Sequence, residues 1–129
     1  MIPEITLQYA AILGLIYTVL TVTVVVMRGK YKVPFGDGGV QPLLRAIRAH
    51  GNFIEYIPLI LILMIAYELT GGSALILNKL GLMLVYARTI HVIAMFSRLN
   101  SMPYYFGRVV GATTTVGIMA FYCIHLILI

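Results

Sequence analysis

Long apolar runs alternate with short polar breaks along this chain. The first apolar run extends from about Ile5 to Met27 and includes the β-branched stretch TVTVVV. Such residues form helices poorly in water, but in lipid a spanning segment must satisfy its own backbone groups, so a helix is expected. RGKYKVPFGDGGVQP, from Arg28 to Pro42, breaks the run with prolines, glycines and mixed charge and predicts a loop, with Asp37 before Gly38 and Gly39 as a turn signal. A second helix is expected from about Pro42 to Leu69. It is amphipathic as far as about Glu55 and apolar beyond, and Pro58 inside it predicts a kink.

TGGS at Thr70–Ser73 ends that helix, a third span is expected from about Ala74 to Ser97, RLNSMP at Arg98–Pro103 forms another break, and a fourth span runs from about Tyr104 to Ile129. A membrane-crossing helix needs about 20 mostly apolar residues, and each run supplies them. The expectation is an all-α membrane protein, a four-transmembrane-helix up-down bundle in one domain over residues 1–129.

Composition agrees with the pattern. Hydrophobic residues make up 61 % of the 129 residues and charged residues 10 %, far from the balance of a soluble domain. The net charge of +5 lies mostly near two of the breaks. Basic loops of a membrane protein face the cytoplasm, so loops one and three are expected there, with both termini on the opposite side. No basic stretch is free of the apolar segments, which speaks against nucleic acid as a partner. Cys123 is the single cysteine, so no intrachain disulfide is expected. Met1–Met27 has no basic start and too long an apolar stretch for a signal peptide; it is expected to remain as the first span.

Charge inside such a chain is costly and marks candidate chemistry. Arg45, Arg48, Asn52 and Glu55 are spaced three, four and three apart and fall on one face of helix two. Arg88, His91, Met95 and Arg98 repeat that spacing on helix three, and Tyr105 and Arg108 share one side of helix four. These groups can converge at one end of the bundle. Guanidiniums grip carboxylates, a carboxylate pairs an amine, and Asn52 and His91 supply neutral hydrogen bonds. The set suits a small anion with two carboxylates and one amine; a tripeptide such as glutathione fits but is not singled out. Two readings of Arg88 stay open, a ligand residue or an ion-pair partner of Glu55 that joins helices two and three. Arg45 is expected to meet lipid phosphate or the Asp37 region. His50 and His125 lie off the cluster, the run Thr113–Thr115 suggests packing and interhelical hydrogen bonds, and no group shows metal-ligand spacing.

The stretch RAIRAHGNFIEYIPL, from Arg45 to Leu59, strongly resembles the helix-two signature of the MAPEG family, the membrane-associated proteins of eicosanoid and glutathione metabolism; Arg48, Ala49, Asn52, Glu55, Tyr56 and Pro58 match. DGG in loop one and FGRVVGA at Phe106–Ala112 look like the bacterial branch. The resemblance implies a homotrimer with a glutathione site at each subunit interface. Arg48, Asn52, Glu55 and Tyr56 would contact glutathione, with Arg28 reaching in from a neighbour and Arg88, His91 and Tyr105 completing the site. Arg108 would stabilise the thiolate. The implied activity is a glutathione transferase or peroxidase acting on apolar electrophiles or lipid hydroperoxides. The alternative is a non-catalytic lipid- or thiol-binding member. That branch loses the Arg/Asn/Glu set, which this chain keeps. Two departures are visible: Met95 stands where many members have a tyrosine, and Arg108 is flanked by Gly107 and Val109 where some have a serine. A channel or transporter is disfavoured, because no span carries paired breaks.

Overall fold

The structure is a computed structural model and describes residues 2–129. Among these residues the chain forms four helices, α1 (Glu4–Tyr31), α2 (Gln41–Leu69), α3 (Ala74–Phe96) and α4 (Met102–Leu128). All four are long and apolar enough to cross a membrane. Each packs against its chain neighbour in antiparallel fashion, and α2 also meets α4 and α1 meets α3.

The core runs along the bundle axis through Leu13, Leu20, Phe53, Ile57, Ile60, Met64, Leu77, Leu84 and Ile118. Outside it, Leu15, Val19, Val25, Ile62, Ile93 and Ile127 are exposed. Such a surface would aggregate in water, but it is the boundary a hydrocarbon solvent requires.

The α3–α4 seam is built on small residues. Gly107, Gly111 and Thr115, four apart, are buried against α3. A Cβ at Gly111 would lie 2.7 Å from the Ala87 carbonyl oxygen, and one at Gly107 would lie 3.0 Å from that of Ile90. Only the absence of a side chain lets the two backbones approach so closely.

Helix ends depart from the apolar runs in an instructive way. α1 continues past Met27 to Tyr31, because hydropathy marks the edge of the membrane and not the edge of the helix. Lys32 then turns left-handed (φ 56°), with Val33 N–H donating to Arg28 O at 3.1 Å and Lys32 N–H to Gly29 O at 3.4 Å. This is a Schellman-type stop with lysine where glycine is usual. α2 ends the same way, with Gly72 N–H bonded to Tyr67 O and Gly71 N–H to Glu68 O. α4 begins at Met102, two residues before the expected start: Ser101 caps it by accepting from Tyr104 N–H, and Pro103 fits the first turn. Pro58 sits within a continuous α2, its missing N–H leaving the Ile54 carbonyl without its helical donor.

Loop one closes through an Asx turn, Asp37 Oδ1 accepting from Gly39 N–H at 2.9 Å. At the other end of the bundle, Pro3 at the α1 start gives no side-chain cap. Glu68 of α2 serves instead, accepting from Ile5 N–H, Thr6 N–H and Thr6 Oγ1 at 2.9, 2.8 and 2.6 Å.

Candidate functional site

A cavity of about 460 Å³ opens between α2, α3 and α4 toward their basic end; its wall includes Asn52, His91, Tyr105, Arg108, Val109, Ala112 and Thr113. The volume lies within the range of small-molecule sites, about 300–1,000 Å³. Four expected site residues, one from α2, one from α3 and two from α4, thus meet on one wall. The rest of that wall, Val109, Ala112 and Thr113, belongs to α4.

Arg108 is exposed, and its guanidinium donates to Tyr104 Oη four residues back while lying 5.0 Å from that ring's centroid. The i, i+4 spacing makes the contact. Tyr104 therefore steers the arginine; the same spacing could have revealed it in the sequence. Tyr105 donates to Asn100 Oδ1 at 2.8 Å, which ties the cavity wall to the preceding turn. His91 is 5 % exposed, and its Nδ1 has no hydrogen-bond partner among the described residues.

Arg88 does not form part of that wall. It is 1 % exposed, lies over the Phe53 ring at 5.2 Å and the Tyr56 ring at 5.9 Å, and donates from Nη2 to Asn52 Oδ1 at 2.9 Å. The partner that joins helices two and three is Asn52, not Glu55. The reason is depth: Glu55 is exposed, whereas Asn52 is half-buried and meets Arg88 inside the bundle.

Arg48 and Glu55 are exposed on α2 and outside the cavity wall; Leu59 and Ile62 continue the same open face. Arg28 turns back on loop one, Nη1 donating to the carbonyls of Val33, Pro34 and Gly36 at 3.2, 3.3 and 2.9 Å. Arg45 donates to Ser97 O at 2.9 Å, a carbonyl at the α3 terminus, and not to the Asp37 region. Helix-terminal carbonyls lack intrahelical donors and attract cations. Arg98 is exposed in the turn between α3 and α4, and Met95 packs against the core.

The Thr113–Thr115 run needs one correction. Thr113 Oγ1 bonds back to Val109 O at 2.8 Å and Thr115 Oγ1 to Gly111 O at 2.7 Å, so these bonds are within α4 and not between helices. Threonine in a helix reaches its own i−4 carbonyl more readily than a neighbour's donor. Thr113 nonetheless lines the cavity.

Comparison with known proteins adds to this geometry. Two relatives, each named Inner membrane protein YecN, come from Escherichia coli K12 and Escherichia coli O6:H1; each is 36 % identical over 91 residues, which is 70 % of this chain and 70 % of theirs. The model of the MAPEG family matches residues 6–128, nearly the whole of the bundle just described. With four spanning helices, the helix-two signature and this match together, the chain belongs to the MAPEG family.

Proposed function

We propose that this protein is an integral membrane enzyme that activates the glutathione thiolate for attack on apolar electrophiles or lipid hydroperoxides. One observation carries the reading: Asn52, His91, Tyr105 and Arg108 line one cavity that Val109, Ala112 and Thr113 of α4 complete. A polar peptide can enter from the water side and an apolar partner can approach from the lipid along α4. The name of the relatives and the basic loops favour a bacterial inner membrane, with loops one and three cytoplasmic. A homotrimer would cover the open α2 face and bring Arg48 and Glu55 against a neighbouring copy. There Arg48 would meet a carboxylate and Glu55 the α-amino group. All three bonds of Arg28 use Nη1, which leaves its other edge for that neighbour.

The chemistry falls to Arg108. A free thiol has a pKa of about 8.5, so only about 3 % is ionised at pH 7. A guanidinium beside the sulfur favours the anion. Lowering that pKa by about two units would raise the thiolate to roughly three quarters, at about 2.7 kcal/mol of differential stabilisation. Tyr104 holds Arg108 from behind, and the cavity orients the sulfur for attack.

Ultraviolet difference spectroscopy of the glutathione complex tests the reading. The parent should show a thiolate band that titrates well below the free-thiol range. Arg108→Ala should lose that band yet still bind S-alkyl glutathione. A parent that binds glutathione without a low-pKa thiolate would point instead to the non-catalytic, thiol- or lipid-binding role.

A further inference from the structure

Arg88 is buried in the middle of α3 and stands behind the cavity, with Asn52 between them. An arginine side chain has five N–H donors and no acceptor. An asparagine amide has an oxygen and an NH₂ of nearly the same shape, and a turn of the amide exchanges them. With Oδ1 toward Arg88 a hydrogen bond forms at 2.9 Å. With the NH₂ toward Arg88, two donors would face each other at low dielectric. Arg88 therefore decides which way the amide of Asn52 points. It is itself held by the rings of Phe53 and Tyr56, and its Nε has no partner among the described residues. A buried donor left unsatisfied is costly, so economy of hydrogen bonds does not explain this arginine.

We propose that Arg88 is a positioning residue that fixes Asn52 so that its Nδ2 protons are offered to the cavity, and that the ligand atom met there is an acceptor, a carboxylate or peptide carbonyl oxygen. The positive charge of Arg108 on the same cavity favours the same ligand chemistry. The proposal rests on the glutathione reading and deepens it. It separates Arg88 from the residues that touch ligand: its influence reaches the cavity through one amide.

Side-chain NMR of the full chain in detergent micelles, with asparagine labelled by ¹⁵N, tests this. The chain has asparagine at positions 52, 78 and 100, and Asn52→Leu assigns the signal pair. In Arg88→Met the Asn52 pair should shift and broaden while those of Asn78 and Asn100 stay in place. Arg88→Lys, which still donates, should keep the pair close to the parent's. Glutathione should move the Asn52 pair in the parent. Arg88→Met should weaken glutathione binding by about tenfold, the loss of one hydrogen bond to a charged group. On the Asn52→Leu background the same substitution should add nothing. An Asn52 pair unchanged in Arg88→Met overturns the proposal, and so do effects of the two substitutions that multiply. If the pair responds to Arg88 as expected but glutathione moves nothing, the amide lock stands and the glutathione reading falls. Asn52→Asp gives an answer that does not depend on Arg88→Met folding. It keeps an oxygen toward Arg88 and turns a second oxygen to the cavity, so glutathione affinity must fall at least as far as in Asn52→Leu. Binding at parental strength by Asn52→Asp would sink the proposal.

Discussion

Glu68 caps a helix that begins more than sixty residues before it, and three of its bonds reach the first turn of α1. A carboxylate at a helix N-terminus satisfies orphan amides and complements the dipole. Glu68→Ala should lower stability by about 1–3 kcal/mol, the cost of leaving such donors unpaired. Glu4→Ala, an exposed site in the same turn, should stay within about 0.5 kcal/mol. Unfolding in mixed detergent micelles measures both, and equal losses would refute the cap. At this scale the sequence was only partly legible. Spacing put Asn52, His91, Tyr105 and Arg108 on converging faces, and they do share a cavity. Spacing could not choose partners. Arg88 meets Asn52 and not Glu55, because burial decides between two polar groups three residues apart. Arg45 and Arg28 meet backbone carbonyls, and every residue type carries one of those.

Among the elements, α3 and α4 depend on glycine. Gly111→Ala would push its new methyl against the Ala87 carbonyl and His91 Cβ, each 2.7 Å away. The helices must separate, at about 1–3 kcal/mol. Because His91 and Arg108 sit on opposite sides of this seam, glutathione affinity should fall as well. Gly117→Ala on the same helix meets nothing within 4 Å and should be neutral or slightly stabilising. A thermal melt paired with calorimetric titration distinguishes the two sites; an unperturbed Gly111→Ala would show that the seam can relax. The four helices and their order were legible from apolar periods alone. Their ends were not. Arg28 to Tyr31 are polar enough to suggest a loop but continue α1, and Ser101 and Pro103 start α4 inside what looked like a break.

For the whole molecule, antiparallel packing gathers the ends of α1 and α3 and the starts of α2 and α4 at one pole. Arg28, Lys30, Arg45, Arg48, Arg98 and Arg108 all lie near that pole, and the opposite one carries Glu4, Glu68 and Lys79. Such asymmetry predicts the basic pole in the cytoplasm. Green fluorescent protein fused after Ile129 should stay dark in a bacterial host, and alkaline phosphatase fused there should be active. The reverse pair of results would invert the topology and place the cavity mouth away from cytoplasmic glutathione.

The Glu68 cap also orders events during synthesis. α1 is made before α2, with the amides of Ile5 and Thr6 lacking any side-chain cap from its own start. The carboxylate that satisfies them is made 63 and 62 residues later, so the cap cannot close until the far end of α2 has been threaded. The first hairpin thus completes itself only when its last turn arrives. Its two ends can then be fastened on the same side of the membrane while the second hairpin is still being made.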